Sequence, residues 1–194
     1  MPLPPMTETL PVGILLAAGR GLRFDPTGQR NKLLQPFAGG EPVVVASART
    51  LLAVLPKVIA VVRDDDVASL LRAIGCDVTV CPDAEQGMAR SLVHAVHYSL
   101  PAQSWLIALG DMPRVRHETI KALALALAGG ASIAAPVSAG RRGNPVAFSH
   151  ACIQDLLALE GDNGARGVLR MHPVTAVEVD DPGIFADIDL PSDL

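Results

Sequence analysis

The sequence predicts an α/β fold, a three-layer α/β/α sandwich around a mostly parallel sheet. Short apolar runs recur at intervals, stretches with helical spacing separate them, and proline or glycine closes each helical stretch. Runs that are apolar at nearly every position, rather than at alternate ones, fit strands covered on both faces. The strands predicted in order are Val12–Leu16, Lys57–Val62, Val78–Cys81, Trp105–Leu109 and Ser132–Val137. Helices are predicted over Val43–Leu55, Asp65–Ile74, Met88–Leu100 and Glu118–Leu127, with Pro56, Gly75, Pro101 and Gly129-Gly130 as terminators. Past Val137 the pattern changes. SAGRRGN reads as a turn, and Pro145–Phe148 returns as a strand, an antiparallel addition beside the preceding strand or elsewhere in the sheet. Helical stretches around Ala151–Leu159 and Ala165–Met171 follow, then a short strand at Thr175–Val179 and an acidic tail, ADIDLPSDL.

The chain has 194 residues, 49% of them hydrophobic, and no linker, repeat or low-complexity segment. One domain over 1–194 is expected, with residues 1–11 flexible and the protein a monomer. Sixteen Lys plus Arg against 20 Asp plus Glu give a net charge of −4, which supplies no basic field for a nucleic acid. The longest apolar runs, such as Ala122–Ala128, fall far short of the roughly 20 residues that span a bilayer, so no membrane partner is expected. MPLPPMTETLP lacks the charged and apolar regions of a secretory signal, which points to the cytoplasm. Cys76, Cys81 and Cys152 are then expected as buried thiols rather than a disulfide framework.

In open parallel sheets ligands sit beyond the carboxyl ends of the strands, so the loops there are where chemistry is sought. The first strand runs into Gly19-Arg20-Gly21-Leu22-Arg23. Glycines let a phosphate approach backbone amides, and guanidinium groups fork onto its oxygens, which suits a polyphosphate. Phe24 occupies the third glycine position of a dinucleotide fingerprint, and Lys32 lies four residues beyond Gly28, so neither that fingerprint nor a P-loop is present. By spacing alone, a tight turn with solvated arginines remains the alternative. Lys32, one of only three lysines, sits in Asn31-Lys32-Leu33-Leu34-Gln35-Pro36, where its stem can pack while its ammonium meets phosphate.

The fourth strand ends in Gly110-Asp111-Met112-Pro113, with a carboxylate at its tip. Asp111 is the expected ligand of a hard cation such as magnesium, which takes one or two carboxylates plus water. The second carboxylate is sought among Asp187, Asp189 and Asp193, with Asp189 preferred; Asp187 and Asp189 alternate and would face the same side of an extended segment. A turn at Asp111 and a solvated acidic tail are the structural alternatives. His94 and His97, one helical turn apart, have no third ligand near them in sequence, and Cys76 and Cys81 lack zinc or redox spacing. Ser91 is a candidate to cap a helix or to line a site.

Taken in order, LLAAGRGLR, NKLLQPF, PDAEQGMARSL, LGDMP, RRGNPVAF, GDNGARGVL and DIDLPSDL resemble the MobA-like nucleotidyltransferases, closest to the molybdenum cofactor cytidylyltransferases. The likeness runs from about Val12 to Leu194. It implies a Rossmann-like fold and transfer of a nucleoside monophosphate from an NTP to the terminal phosphate of molybdopterin, with Mg2+ and release of pyrophosphate. By this matching, Arg20, Lys32 and Asp111 are the catalytic positions, and Asp111 with Asp189 holds the metal. Leu16, Ala17, Ala18, Gly19, Arg20, Gly21, Arg23, Lys32, Asp83, Gly87, Ser91 and Gly110 fall on the nucleotide side. Asn144, Asp162, Gly164 and Arg166 fall on the acceptor side. Ala17-Ala18-Gly19 resembles the CTP-using branch, with GTP or another phosphorylated acceptor as the competing expectation, and a molybdoenzyme maturation partner is implied. A nicotinamide oxidoreductase and a non-catalytic nucleotide-binding module are the readings from other classes.

Overall fold

The computed structural model describes residues 10–161 and 164–194. Strands β1 (Val12–Ala17), β2 (Val58–Val62), β3 (Asp77–Val80) and β4 (Ser104–Leu109) alternate with helices α1 (Val43–Leu52), α2 (Asp65–Ala73) and α3 (Met88–Ser99). Helix α4 (His117–Ala128) leads to β5 (Ile133–Ser138), β6 (Arg141–Arg142) and β7 (Val146–Ser149), then α5 (Ile153–Leu157), α6 (Val168–Met171) and β8 (Val174–Glu178). The path through the sheet is β3-β2-β1-β4-β7-β5-β6, with β8 paired to β5. β1, β2, β3 and β4 pair in parallel, β7 runs antiparallel to both β4 and β5, and β8 is parallel to β5.

Alternation along the strands explains why their runs are continuously apolar. In β1, Leu15 and Ala17 join one core with α1, α2 and α4, while Ile14 joins a second core with α3 and α5. In β4, Leu106 and Ala108 face the first core, and Trp105 and Ile107 the second. Trp105, fully buried, donates its indole N–H to Ser99 Oγ at 2.7 Å, which satisfies the one polar group it carries into the core. Fully burying a side chain of this size stabilises by roughly 1.5–3 kcal/mol. Asp64 begins α2 by accepting from the Val67 amide at 3.1 Å, a side-chain cap. All three cysteines are free and buried, as expected.

The predicted strands and long helices agree with the structure to within a few residues. The insertion of β7 between β4 and β5 resolves the placement that the sequence left open. Three stretches differ. Arg141–Arg142, read as turn, forms a hairpin arm on β5; the helix read over Ala151–Leu159 is a 3-10 turn (His150–Cys152) followed by α5; the helix read over Ala165–Met171 splits into a turn at Gly164–Arg166 and α6. The acidic tail is no loose extension. It follows a 3-10 turn at Pro182–Phe185 and forms another at Pro191–Asp193, and Ile188 between the two is fully buried against Phe24 and Val43. The expectation of flexibility for residues 1–11 lies, over 1–9, outside the described residues.

Candidate active site

A cleft of about 660 Å³ opens at the carboxyl end of β1 and β4. Gly110 brings these strands together: its amide donates to Leu16 O at 2.9 Å, and a Cβ there would stand 3.1 Å from that oxygen and from Ala17 Cβ. Asp111, the next residue, is thereby held beside the Gly19–Arg23 loop. Gly21 turns that loop with a φ of +63°, a conformation that other residues adopt only with strain. Lys32 packs its stem over Gly21, within 3.4 Å of where a Cβ would stand. Behind the loop, the Asp25 carboxylate accepts from Thr27 Oγ1 at 2.7 Å, the Thr27 amide at 2.9 Å and the Arg30 amide at 2.8 Å. Those bonds, the Thr27 hydroxyl first, lower its pKa.

The lysine is aimed by its own short helix. Asn31 Oδ1 accepts from the Leu33 amide at 3.0 Å, capping the Lys32–Leu34 turn, while buried Leu33 anchors it to the first core. Lys32 Nζ then donates to Asp111 Oδ2 at 2.6 Å, Ile188 O at 2.8 Å and Asp189 Oδ1 at 3.3 Å. Arg23 adds a second cation to Asp189. The tail carboxylate is placed by backbone: the Ile188 amide donates to Asp111 O at 2.8 Å, and the Asp189 and Leu190 amides donate to Asp193 Oδ2 at 3.0 and 2.7 Å. The Leu190 and Asp189 amides lower the Asp193 pKa.

Asp111 Oδ1 is buried and has no hydrogen-bond partner. A buried anionic oxygen without a donor is costly, and a hard divalent cation is a partner that such an atom accepts. Among the described residues no three His, Cys, Asp or Glu side chains come together as a metal cluster. The donor set is therefore the small carboxylate one that a hydrated magnesium or manganese ion tolerates, and Asp111 and Asp189 fit it. Asp187 lines the same cleft. Burial raises its pKa, and the negative charges of Asp189 and Asp111 add to the rise.

Of the residues singled out from sequence, Leu16, Ala17, Ala18, Gly19, Arg20, Gly21, Arg23, Lys32, Gly87, Ser91, Asp111, Asn144, Arg166 and Asp189 all line this cleft. Three do not. Asp83 is exposed and accepts from Gln86 Nε2 at 3.0 Å within its own turn, Gly110 lies behind the cleft between β1 and β4, and Gly164 backs onto Met88. Asp162 lies outside the described residues. Lys32, expected to reach for phosphate, is bonded instead to carboxylates, because two acidic groups arrive beside it from distant parts of the chain. Ser91 caps nothing: Gly87 begins α3 without a side-chain bond, and Ser91 is buried one turn inside. His94 is held by Thr79 Oγ1 at 2.7 Å, a bond from helix to sheet.

Sequence reasoning missed Arg141 and Phe185, which also line the cleft, with the Arg141 guanidinium 4.4 Å above the Phe185 ring. The paired arginines of SAGRRGN were the available signal; Phe185 had none, since its 3-10 turn lies in a segment without strand or helix periodicity.

A family model described as the MobA-like NTP transferase domain matches residues 13–177. The chain belongs to the MobA-like NTP transferase family. Purine catabolism protein PucB of Bacillus subtilis (strain 168) is 33% identical over 198 residues, covering 94% of this chain and 93% of that protein. Rv0371c from Mycobacterium tuberculosis H37Rv is similar in structure, with a TM-score of 0.81 at 30% identity, over 97% of this chain and 96% of that one. A crystal structure of Rv0371c in complex with manganese matches with a TM-score of 0.76 at 28% identity, over 95% of this chain and 96% of that one. These relatives extend across the whole sheet, β7 and β8 included, so the MobA-like assignment applies to the architecture that builds the cleft. The family is one of nucleotidyltransferases, and the dinucleotide-oxidoreductase reading falls with its missing third glycine.

Proposed function

We propose that the protein transfers CMP from CTP to the terminal phosphate of molybdopterin, with Mg2+ as the cation and pyrophosphate as the second product. The observation that carries this reading is the convergence of the Gly19–Arg23 loop, Lys32, Asp111 and Asp189 on one cleft. In the reaction an oxygen of the acceptor phosphate forms a bond to the α-phosphorus of CTP. The bond from that phosphorus to the β-phosphate bridging oxygen breaks, and pyrophosphate leaves with the electron pair. An acceptor phosphate is already anionic at neutral pH, so no side chain need take a proton.

The protein's work is positioning and electrostatics. Arg20 and the open amides of the glycine loop bind the triphosphate, and Lys32 turns from the carboxylates to the phosphate oxygens that gain charge as the bond breaks. Asp111 and Asp189 would hold the divalent cation, which would supply positive charge against that of the leaving pyrophosphate. The manganese complex of Rv0371c and the unpartnered Asp111 Oδ1 support a metal here. The Ala17-Ala18-Gly19 sequence, like that of the CTP-using branch, supports cytosine over guanine. Asn144 and Arg166 are assigned to the acceptor side of the cleft.

Incubation with Mg2+, molybdopterin and either CTP or GTP, with pyrophosphate measured, tests base and acceptor together. Release with CTP well above that with GTP is the expected result. Equal or greater release with GTP would reverse the base assignment, and release that needs no molybdopterin would remove the acceptor.

A further inference from the structure

Lys32, Asp111 and Asp189 reach the cleft from three separate segments: a 3-10 turn, the exit of β4 and the tail. All three segments are fastened to the first turns of α1, although neither Val43 nor Ser47 lines the cleft itself. The Val43 amide donates to Gln35 O at 3.0 Å, and the Gln35 amide donates in turn to Lys32 O at 3.3 Å, closing the lysine's turn. Val43 also packs with Phe24 on buried Ile188, the neighbour of Asp189. Ser47, one helical turn on and on the same face, brings its Oγ within 3.0 Å of Gly110 O, the carbonyl of the peptide that leads into Asp111.

Ser47 is 5% exposed and Gly110 is buried, so a carbonyl left there without a donor would carry the cost of its desolvation. The Ser47 hydroxyl has one proton and two acceptors in reach, Gly110 O and, at 3.1 Å, Val43 O four residues back on its own helix. The helix carbonyl alone would satisfy the serine; only the bond to Gly110 satisfies the strand exit. On either side the backbone is already tied, the Gly110 amide to Leu16 O at 2.9 Å and Asp111 O to the Ile188 amide at 2.8 Å. The peptide between those two points can still rotate unless its carbonyl is held. Such a rotation swings the Asp111 side chain, whose Oδ1 is buried without a partner and whose Oδ2 lies 2.6 Å from Lys32 Nζ. Thr50, three residues further along α1, makes the same kind of bond, from Oγ1 to Ala46 O at 3.4 Å and to Val115 O at 3.3 Å, but Val115 lies outside the cleft.

We propose that Ser47 is a positioning residue for the divalent cation: through Gly110 O it sets where Asp111 stands relative to Asp189, which the same face of α1 holds through Val43 and Ile188. This role rests on the metal-dependent transfer reading above and adds to it a residue that touches neither nucleotide nor cation. Carboxylates spaced in advance take up a small cation without the cost of ordering them on binding.

The test follows Mn2+ binding to the full chain, without nucleotide, by the electron paramagnetic resonance of the free ion, with thermal melting beside it. Wild type binds Mn2+, and Asp111→Asn loses that binding. Ser47→Ala weakens it about tenfold, the lower end for removing a group that orients a metal ligand. Thr50→Val gives up the same kind of bond on the same helix and melts lower to a similar degree, yet keeps its Mn2+ affinity within about twofold. Ser47→Thr keeps the donor, with the small cavity that Ser47 shares with Thr50, Leu51 and Met112 beside it, and binds Mn2+ more tightly than Ser47→Ala. Ser47→Cys keeps the volume with a weaker donor and falls between them; should Ser47→Ala not fold, Ser47→Thr above Ser47→Cys carries the same test. In turnover, Ser47→Ala raises the Mg2+ concentration for half-maximal rate by a similar factor, while the rate at saturating Mg2+ stays within about twofold. Three results overturn the role: no Mn2+ binding by wild type, equal binding by Ser47→Ala, or an equal loss in Thr50→Val, which would make Ser47 a structural hydroxyl. Weaker Mn2+ binding by Ser47→Ala in a protein that releases pyrophosphate from no nucleotide would defeat the transfer reading and not the positioning role.

Discussion

Replacing Lys32 by Met keeps the stem over Gly21 but withdraws the ammonium from three oxygens at once. The Lys32 and Asp111 side chains are 11% and 19% exposed, so the pair lies closer to the buried limit than to the surface one. Removing one partner of a buried pair costs roughly 3–5 kcal/mol and of a surface pair under about 1, which puts this change at about 2–4 kcal/mol. In a chain of this length that lowers Tm by roughly 5–15 °C. Asp111 and Asp189 would then lose the ammonium between them, and a divalent cation should restore part of the loss. Thermal unfolding with and without Mn2+ reads both effects: the variant melts lower, and Mn2+ raises its Tm by more than it raises that of wild type. Catalytic turnover falls about 10²-fold or more, the usual scale for one lost donor to a transition-state charge. A variant that melts within a degree of wild type and releases pyrophosphate at the same rate would refute the reasoning, since no lysine bridging two carboxylates in a cleft can be that inert.

Asp111→Asn should abolish turnover while circular dichroism and melting show the fold kept; pyrophosphate release within about twofold of wild type would exclude Asp111 from the chemistry. Asp187 has a folded pKa raised by burial and by its acidic neighbours, so ionising it opposes folding. Its sign is thus opposite to that of a paired carboxylate: the favourable contribution is present at low pH and is lost as pH rises through the raised folded pKa. Asp187→Asn should therefore be more stable than wild type at neutral pH, with the advantage vanishing below the ordinary carboxylate range, as urea titrations across pH would read. Asp181→Ala leaves three donors around a buried carboxylate without their acceptor and should cost about 3–5 kcal/mol, seen as a lower urea midpoint.

Much of the architecture is legible along the chain because each long element satisfies a local requirement. Strands β1, β2, β4 and β5 carry apolar residues to both faces, helices α2 to α4 end within two residues of the expected proline or glycine, and α1 stops four residues short of Pro56. The Gly19–Arg23 loop and Asp111 were legible for a related reason: strand exits in a parallel sheet share one edge, so unusual residues at two exits can be expected to meet. The short elements were less legible. α5 and α6 span five and four residues, too few turns for a periodic pattern to separate helix from 3-10 turn.

Local chemistry of the chain alone therefore determined the sandwich, the glycine loop, and a carboxylate at the end of the central strand. Only the tertiary structure decided what those groups touch. Lys32 and Asp189 are 157 positions apart, and nothing in the spacing of either tells that Ile188 is buried and carries its neighbour to the lysine. Asp187 and Asp189 share the cleft while Asp193 turns back to accept from the Asp189 and Leu190 amides, a division that three similar aspartates in one short segment cannot express. Arg141 and Phe185, brought together when β7 inserts into the sheet and Asp181 anchors the following turn, belong to the same class. Contacts across such separations are set by how the layers pack, and the free energy that selects them comes from burial and pairing summed over the whole molecule rather than from any local run of residues.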